Sequence, residues 1–126
     1  MAVSNHVDNC IFCKIAAGHV PCQKVYEDAD FLAFYDIKPA APVHVLIVPK
    51  VHVAHLQDMV THPELSLLTG PMMLLAVQIA KQLGCDIQGD GMGEHGGFRI
   101  TVNSGPDGGQ EVGHVHLHLM GGKRPW

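Results

Sequence analysis

The chain has 126 residues and a mass of 13.6 kDa, with 47% hydrophobic and 16% charged residues. This composition excludes a disordered chain and predicts one folded domain, residues 1–126, with a hydrophobic core. The net charge of −4 excludes a general nucleic-acid-binding protein, which needs a basic surface to neutralise phosphates. Histidine is unusually frequent, with 10 residues in the chain, and three of them lie in one short segment.

The N-terminus shows no targeting signal. Residues 1–9 are polar and lack the basic start and the apolar stretch of a signal peptide. No uninterrupted apolar run reaches the ~18–20 residues that a membrane span requires. Without a secretory signal, the 4 cysteines are expected to be thiols or metal ligands rather than disulfides. We therefore predict a cytoplasmic protein that does not enter a membrane.

The first part of the chain predicts a short helix followed by strands. Residues 11–17 form the short helix, which Gly18 ends. Two β-rich runs, residues 22–27 and 31–36, are joined by a tight polar link. The run HVLIV at residues 44–48 predicts a third strand, which Pro49 closes.

Residues 63–83 predict the main helix, because apolar residues recur there at spacings of three and four. These residues are Leu65, Leu68, Met72, Leu75, Ile79 and Leu83. Pro71 lies inside the pattern and is expected to kink the helix or split it in two. The glycine-rich residues 84–97 predict a flexible loop or a loose hairpin.

The last part of the chain predicts two more strands, residues 98–103 and 112–120, separated by a turn at residues 104–109. Five strands with one long helix and a short N-terminal helix indicate an α+β fold with a mostly antiparallel sheet.

Three histidines alternate with aliphatic residues in the last predicted strand. Because side chains alternate between the faces of a strand, His114, His116 and His118 are expected on one face. A neutral imidazole is a nucleophile toward phosphorus, and its neighbours can donate hydrogen bonds or protons. The preceding glycine-rich loop, residues 103–110, offers backbone amides to phosphate oxygens. This pattern predicts phosphoryl or nucleotidyl transfer, with structural packing or a simple metal cluster as the alternatives.

The segment QEVGHVHLHL, residues 110–119, resembles the histidine triad signature. Residues 10–15, 25–28, 34–37 and 42–52 resemble further segments of the same family, so the similarity covers nearly the whole chain. Gly121 and Gly122 after the triad resemble the histidine triad nucleotide-binding branch rather than the fragile-histidine-triad dinucleotide hydrolases. The third histidine, His118, departs from the hexose-1-phosphate uridylyltransferase branch, which has glutamine there.

The resemblance implies a HIT-like α+β domain that forms a homodimer in which the two sheets join. It implies hydrolysis of purine nucleoside 5′-phosphoramidates, such as adenylate joined to an amine, with no cofactor required for catalysis. Carried over by position, His116 is the nucleophile and forms a nucleotidyl-histidine intermediate. His118 and His44 are its neighbours, and His114 completes the set of catalytic histidines.

The resemblance also implies the nucleotide contacts. Asn103 and Gln110 are expected to contact phosphate oxygens or the leaving group, and Glu111 lies where some relatives have a serine that meets the phosphate. The carboxylate of Asp36 is expected to bind the ribose hydroxyls, although a carboxylate before a proline loop is often only a turn cap. The residues expected to line the base pocket are Phe12, Ile15, Phe34 and Ile37.

Cys10 and Cys13 have the C-x-x-C spacing with which two thiolates grip one Zn²⁺, and two histidines must complete such a site. His114 is the triad ring farthest from His118, and His52 follows the third strand; both are candidates. Some relatives with this motif are similar in using these four positions for structural zinc. The alternative is that both cysteines are buried reduced thiols.

Two other functions remain open at this point. The same pocket would serve a nucleotide-binding regulatory or adapter protein, and the same fold would serve a dinucleoside polyphosphate hydrolase. Turnover of an adenylate-amine conjugate, compared with a dinucleoside polyphosphate, separates the two hydrolases.

Overall fold

The structure is a computed structural model that describes residues 6–87 and 95–123. The described segments contain a five-stranded sheet, β1 to β5, and four helices, α1 to α4. In chain order the elements are α1 (Ile11–Ala16), β1 (Lys24–Glu27), β2 (Phe31–Tyr35), β3 (Val43–Pro49), α2 (Asp58–Thr61), α3 (Pro63–Ser66), α4 (Thr69–Gln82), β4 (Phe98–Val102) and β5 (Leu117–Gly121). The strand order is β1-β2-β3-β5-β4, and every neighbouring pair is antiparallel. The predicted α+β fold is therefore confirmed.

The two faces of the sheet have different partners. On one face, Val45 and Ile47 of β3 join the core that contains the buried residues of α4. On the other face, Leu46 and Val48 pack with Phe12 of α1. Because side chains alternate along a strand, the continuous apolar run of β3 serves both layers. The sheet thus has α4 on one side and α1 on the other.

The predicted helix at residues 63–83 consists of two helices. The helical conformation is interrupted at Leu67 and Leu68, and α4 starts at Thr69. Pro71 was expected to be the breaking point, but it lies in the first turn of α4, where its missing N–H is not needed. All six residues of the predicted apolar face are buried or packed against the core: Leu65, Leu68, Met72, Leu75, Ile79 and Leu83.

The segment Pro63–Gln82 has the length of a membrane span, 20 residues, and a mean hydropathy of 1.3. The segment is interrupted by polar and charged residues such as Glu64 and Lys81, in agreement with the expectation that no uninterrupted apolar run reaches this length. A core helix of a globular protein has the same properties, and here Leu75, Ala76 and Ile79 pack against the sheet.

The last strand is shorter than the predicted residues 112–120, because β5 starts at Leu117. His114 and His116 therefore precede the strand, and only His118 of the three lies in it. Pro49 of β3 ends the ladder, since it has no N–H to donate and its carbonyl accepts from the ring of His114 instead. The predicted loop at residues 84–97 lies partly outside the described residues, and its described ends meet in a single bridge between Ile87 and Gly96.

Candidate active site

A cavity of about 740 Å³ lies on the α1 face of the sheet. It brings together most of the residues predicted for the site: Phe12, Ile15, Phe34, Asp36, Ile37, His44, Asn103, Glu111, His116 and His118. Two predicted residues, Gln110 and His114, do not line it. Residues from the start of the chain and from β5 meet here because β5 pairs with β3 inside the sheet and is not an edge strand.

Residues that the sequence interpretation missed also line the cavity: Cys22, Tyr35, Lys38, Thr101, Arg99 and Met120. The strand register explains the last three. Thr101 pairs with His118 across β4 and β5, and Arg99 pairs with Met120. Their positions alternate along the predicted strands, so the period of two would have placed them on this face.

The ring of His116 is held in one tautomer. Its Nδ1 lies 2.7 Å from the backbone carbonyl oxygen of His114. Because a carbonyl only accepts, Nδ1 must carry the proton, and Nε2 of the neutral ring keeps its lone pair. The ring is buried and packs edge-on against Phe12, with centroids 5.1 Å apart. His116 therefore presents an oriented nucleophilic nitrogen.

The ring of His118 has the opposite proton placement. The backbone N–H of Ala40 donates to Nδ1 of His44 at 3.0 Å, so the neutral His44 ring carries its proton on Nε2. That Nε2 lies 3.0 Å from Nδ1 of His118 and donates to it. The neutral His118 ring therefore carries its proton on Nε2. Its ring lies beside that of His116, with centroids 4.9 Å apart.

Burial keeps the rings of His44 and His118 neutral. It lowers the pKa of both, and the neighbouring rings of His116 and His44 lower the pKa of His118 further. The negative carboxylates oppose this effect. Asp36 raises the pKa of both rings, and Glu111 raises the pKa of His118. Burial is the largest cause in each case, so the neutral tautomers describe the site near pH 7.

Asp36 occupies the end of β2 and has two partners. Its Oδ1 accepts the backbone N–H of Lys38 at 2.8 Å, which makes it the turn cap considered from the sequence. Its Oδ2 lies 3.5 Å from Nε2 of His44 and faces the cavity. One oxygen thus shapes the loop while the other lies beside the ring of His44.

The apolar wall of the cavity comes from α1 and β2. Phe12 and Phe34 contact each other edge to face, with ring centroids 5.7 Å apart. Ile37 lies at the rim with 91% of its surface exposed. A large apolar side chain this exposed beside a cavity can cover a flat ligand.

The side chain of Gln110 forms hydrogen bonds that hold the glycine-rich loop, so its amide is engaged within the protein. Its Oε1 accepts the N–H of Gly105 at 2.8 Å, and its Nε2 donates to the carbonyls of Ala54 and Val112. The contact of Gln110 with phosphate oxygens or the leaving group stays a prediction. Asn103 lines the cavity, and its Nδ2 donates to the carbonyl of Gly108 at 2.7 Å.

The thiol–imidazole cluster consists of Cys10, Cys13, His52 and His114, whose ligand atoms all lie within 4.8 Å of one another. Nδ1 of His114 is 3.3 Å from Sγ of Cys10, and Nδ1 of His52 is 3.3 Å from Sγ of Cys13. Nε2–H of His114 donates to the carbonyl of Pro49 at 2.8 Å, which leaves Nδ1 with its lone pair toward the thiols. A ligating histidine is commonly oriented by such a bond from its other nitrogen. Two thiols and two imidazoles are a donor set that suits Zn²⁺.

A second group of possible ligands, Asp36, His44 and His118, is also close together. It does not suit a metal, because Nδ1 of His44 accepts from Ala40 and its Nε2 therefore carries the proton. Five histidines outside these two groups are exposed: His6, His19, His55, His62 and His95.

The HIT domain family model matches residues 17–125. The chain belongs to the HIT domain family. Among curated HIT proteins, protein HitA of Neisseria gonorrhoeae is 48% identical over 117 residues, covering 91% of this chain and 97% of that protein.

Solved HIT structures have the same fold. A histidine triad protein from Clostridium difficile has a TM-score of 0.83 and 42% identity, covering 95% of this chain and 96% of its own. A HIT family hydrolase from Legionella pneumophila has a TM-score of 0.79 and 41% identity, covering 92% and 95%. A histidine triad nucleotide-binding protein from Candida albicans has a TM-score of 0.78 and 37% identity, covering 92% and 76%.

Proposed function

We propose that the protein hydrolyses purine nucleoside 5′-phosphoramidates through a nucleotidyl-histidine intermediate. The observation that carries this proposal is the bond from Nδ1–H of His116 to the carbonyl of His114, which leaves Nε2 as a fixed nucleophile. Relatives support the class of reaction, since the Legionella pneumophila protein is described as a hydrolase and the Candida albicans protein as nucleotide-binding.

In the first step, Nε2 of His116 attacks the phosphorus, and the bond from phosphorus to the leaving amine breaks. The nitrogen of the phosphoramidate takes up a proton from solvent before the bond breaks, so it leaves as the neutral amine, and Nε2–H of His118 donates a hydrogen bond to the reacting group. The phosphorylated ring of His116 becomes positive while the adjacent ring of His118 stays neutral, with centroids 4.9 Å apart. Splitting one substitution into two steps lowers each barrier.

In the second step, the oxygen of a water molecule attacks the phosphorus, and the proton that the water loses passes to solvent. The bond from phosphorus to His116 breaks, and the nucleoside monophosphate leaves. The ring of His116 returns to the neutral tautomer that the carbonyl of His114 maintains, and the ring of His118 keeps the tautomer that His44 maintains. The backbone thus resets the nucleophile after each turnover.

The nucleotide is proposed to lie with its base on the apolar wall of Phe12, Ile15, Phe34 and Ile37, and its ribose hydroxyls near Oδ2 of Asp36. The phosphate then reaches His116, with Asn103 and Glu111 beyond it on the leaving-group side. A carboxylate at Glu111 repels phosphate oxygens, so we assign its contact to the leaving group rather than the phosphate.

The thiol–imidazole cluster is proposed to bind one Zn²⁺ through Cys10, Cys13, His52 and His114. When bound, the metal supplies a structural cross-link and no chemistry to the reaction. Burial raises the pKa of the Cys13 thiol, so a bound cation is needed to keep it as a thiolate. The cross-link would join α1 to the histidine segment.

Turnover tests the proposal. We expect hydrolysis of an adenylate-amine conjugate at a rate well above that of a dinucleoside tetraphosphate. His116→Ala is expected to lower kcat by at least ~10³-fold and to retain AMP binding, because the base and ribose contacts remain. His62→Ala, which removes an exposed histidine, is the control.

Three results contradict the proposal. Faster turnover of the dinucleoside tetraphosphate indicates the other hydrolase. AMP binding without turnover of either compound indicates a binding or adapter protein. A nucleotidyl adduct trapped on a residue other than His116 removes the proposed nucleophile.

A further inference from the structure

His114 takes part in both the thiol–imidazole cluster and the active site. Its side chain is fully buried, and its ring is held at both nitrogens, by Sγ of Cys10 at 3.3 Å and by the carbonyl of Pro49 at 2.8 Å. The backbone carbonyl of the same residue accepts from Nδ1 of His116 at 2.7 Å. Whatever fixes the ring of His114 therefore also fixes the acceptor of the nucleophile.

The carbonyl of His114 decides which nitrogen of His116 carries the proton. Which tautomer a neutral imidazole adopts depends on the hydrogen bond that one of its nitrogens makes. If the carbonyl moves away, the ring can place its proton on Nε2, which then has no lone pair. A small displacement of His114 thus removes the nucleophile without removing any group of His116.

A second contact joins the cluster to the active site. Phe12 lies between Cys10 and Cys13 on α1, and its ring packs edge-on against His114 and His116, at 5.8 and 5.1 Å between centroids. The helix α1 has 6 residues, too few to be stable alone. Its position depends on the anchors that Cys10 and Cys13 provide at its start.

We infer that His114 is a positioning residue for His116, and that metal binding at the thiol–imidazole cluster sets this position. With metal bound, the carbonyl of His114 and the ring of Phe12 hold His116 as the Nδ1–H tautomer. Without metal, only the thiol–imidazole hydrogen bonds and the carbonyl of Pro49 hold His114 and α1, and we expect His116 to become a mixture of tautomers. The effect on turnover rests on the proposed hydrolase function, whereas the effect on the tautomer does not.

The full chain, loaded with one equivalent of Zn²⁺ or stripped with a chelator, tests this inference. Long-range ¹H–¹⁵N correlation spectra of the histidine rings identify the tautomer of His116 directly. We expect Nδ1–H alone in the loaded protein and a mixture with Nε2–H in the stripped protein, both at a temperature at which circular dichroism shows the fold intact. We expect kcat to fall by about 10- to 100-fold on stripping.

Two variants at His52 separate positioning from general stability, and neither changes a residue that lines the cavity. His52→Cys keeps four ligands and is expected to retain metal and the loaded spectrum. His52→Ala loses a ligand and is expected to show the stripped spectrum. Cys85→Ser, which removes a buried thiol from the opposite face of the sheet, is expected to lower the melting temperature and leave the tautomer unchanged.

Identical His116 spectra in the loaded, stripped and His52→Ala proteins overturn the inference, and so does a protein that takes up no Zn²⁺. If the tautomer changes with metal but no form hydrolyses a phosphoramidate, the proposed hydrolase function fails and the inference stands. A cluster with a merely structural role would change the melting temperature without changing the tautomer.

Discussion

The proton positions in the active site are set by backbone groups that have only one hydrogen-bonding role. The N–H of Ala40 can only donate, and the carbonyl of His114 can only accept. These two groups give His116 and His118 opposite tautomers: Nε2 has a lone pair in His116 and a hydrogen-bond donor in His118. The histidine pattern in the sequence predicts which rings meet, but it holds no information about these protons.

Burial of His44 and His118 predicts a loss of stability in acid. Because the fold lowers the pKa of both rings below the ordinary 6.5, the unfolded chain binds protons that the folded chain does not. The free energy of unfolding is therefore expected to fall as the pH drops below about 6.5, by at most ~1.4 kcal/mol per pH unit for each ring. Denaturant unfolding at pH 7.5, 6.5 and 5.5 measures this free energy of unfolding.

His44→Gln isolates the contribution of the His44 ring from all other effects of acid on stability. The variant is expected to lose stability less steeply with falling pH than the wild type. His95→Gln, which removes an exposed histidine, is expected to keep the wild-type slope. Equal slopes in all three proteins contradict the prediction.

The sequence correctly predicted which residues next to the three histidines are buried, but it did not predict where the last strand begins. Val115, Leu117 and Leu119 are all buried in the core with α4, as the period of two required. The strand nevertheless starts only at Leu117, because the preceding residues have no partner strand; the N–H of Val115 instead donates to the carbonyl of Val53. Which backbone groups find partners depends on tertiary contacts, which no local pattern contains.

Contacts between elements also decide which predicted residues line the cavity. The amide of Gln110 is used within the loop and by Ala54, which is 56 positions away in the chain. The residues expected to line the base pocket and the rings of His44, His116 and His118 do line the cavity, because these positions follow from strand alternation and from α1.

Gly121 of β5 packs closely against Cys85, which follows α4, so a larger side chain at Gly121 is expected to disturb the packing. A Cβ at Gly121 would lie 2.5 Å from Sγ of the buried Cys85. Gly121→Ala is therefore expected to lower the free energy of unfolding by about 1–3 kcal/mol. Denaturant unfolding measures the change.

Cys85→Ala removes the sulfur that causes the clash and serves as the second arm of a double-mutant cycle. Gly121→Ala is expected to cost less in the Cys85→Ala background than in the wild type. Additive effects of the two substitutions would show that this contact does not cause the destabilisation.

The attachment of α1 predicts a metal-dependent melting temperature. Protein purified without chelator is expected to contain about one zinc per chain. Cys10→Ser with Cys13→Ser is expected to lower the melting temperature and to abolish zinc uptake, with Cys22→Ser as the control on a thiol outside the cluster. A metal-free protein that takes up no zinc and tolerates the double substitution shows that both cysteines are only buried thiols.

At the scale of the molecule, the described part of the chain has exposed apolar side chains on its α3 and α4 side. Leu67 is 75% exposed, Leu74 is 69% exposed, and Met73 is exposed as well. A small domain gains stability by covering such a surface, and the edge strand β4 leaves backbone groups to pair. We therefore keep the prediction of a homodimer with α4 in its interface.

Leu74→Glu tests the homodimer. Sedimentation of the wild type at micromolar concentration is expected to show a dimer, and the variant is expected to shift toward a 13.6 kDa monomer. Gln78→Glu places the same charge at an exposed polar position of α4 and is expected to remain dimeric. A wild type that sediments only as a monomer contradicts the prediction.

The position of β5 between β3 and β4 has a consequence for folding during synthesis. During synthesis β1, β2 and β3 emerge first and can pair in order, but β4 has no neighbour until Leu117–Gly121 has left the ribosome. The same late segment brings His116 and His118 to a pocket wall that was translated about a hundred residues earlier. The sheet therefore stays incomplete while most of the chain is synthesised. The sheet and the cavity are completed together when β5 inserts between β3 and β4.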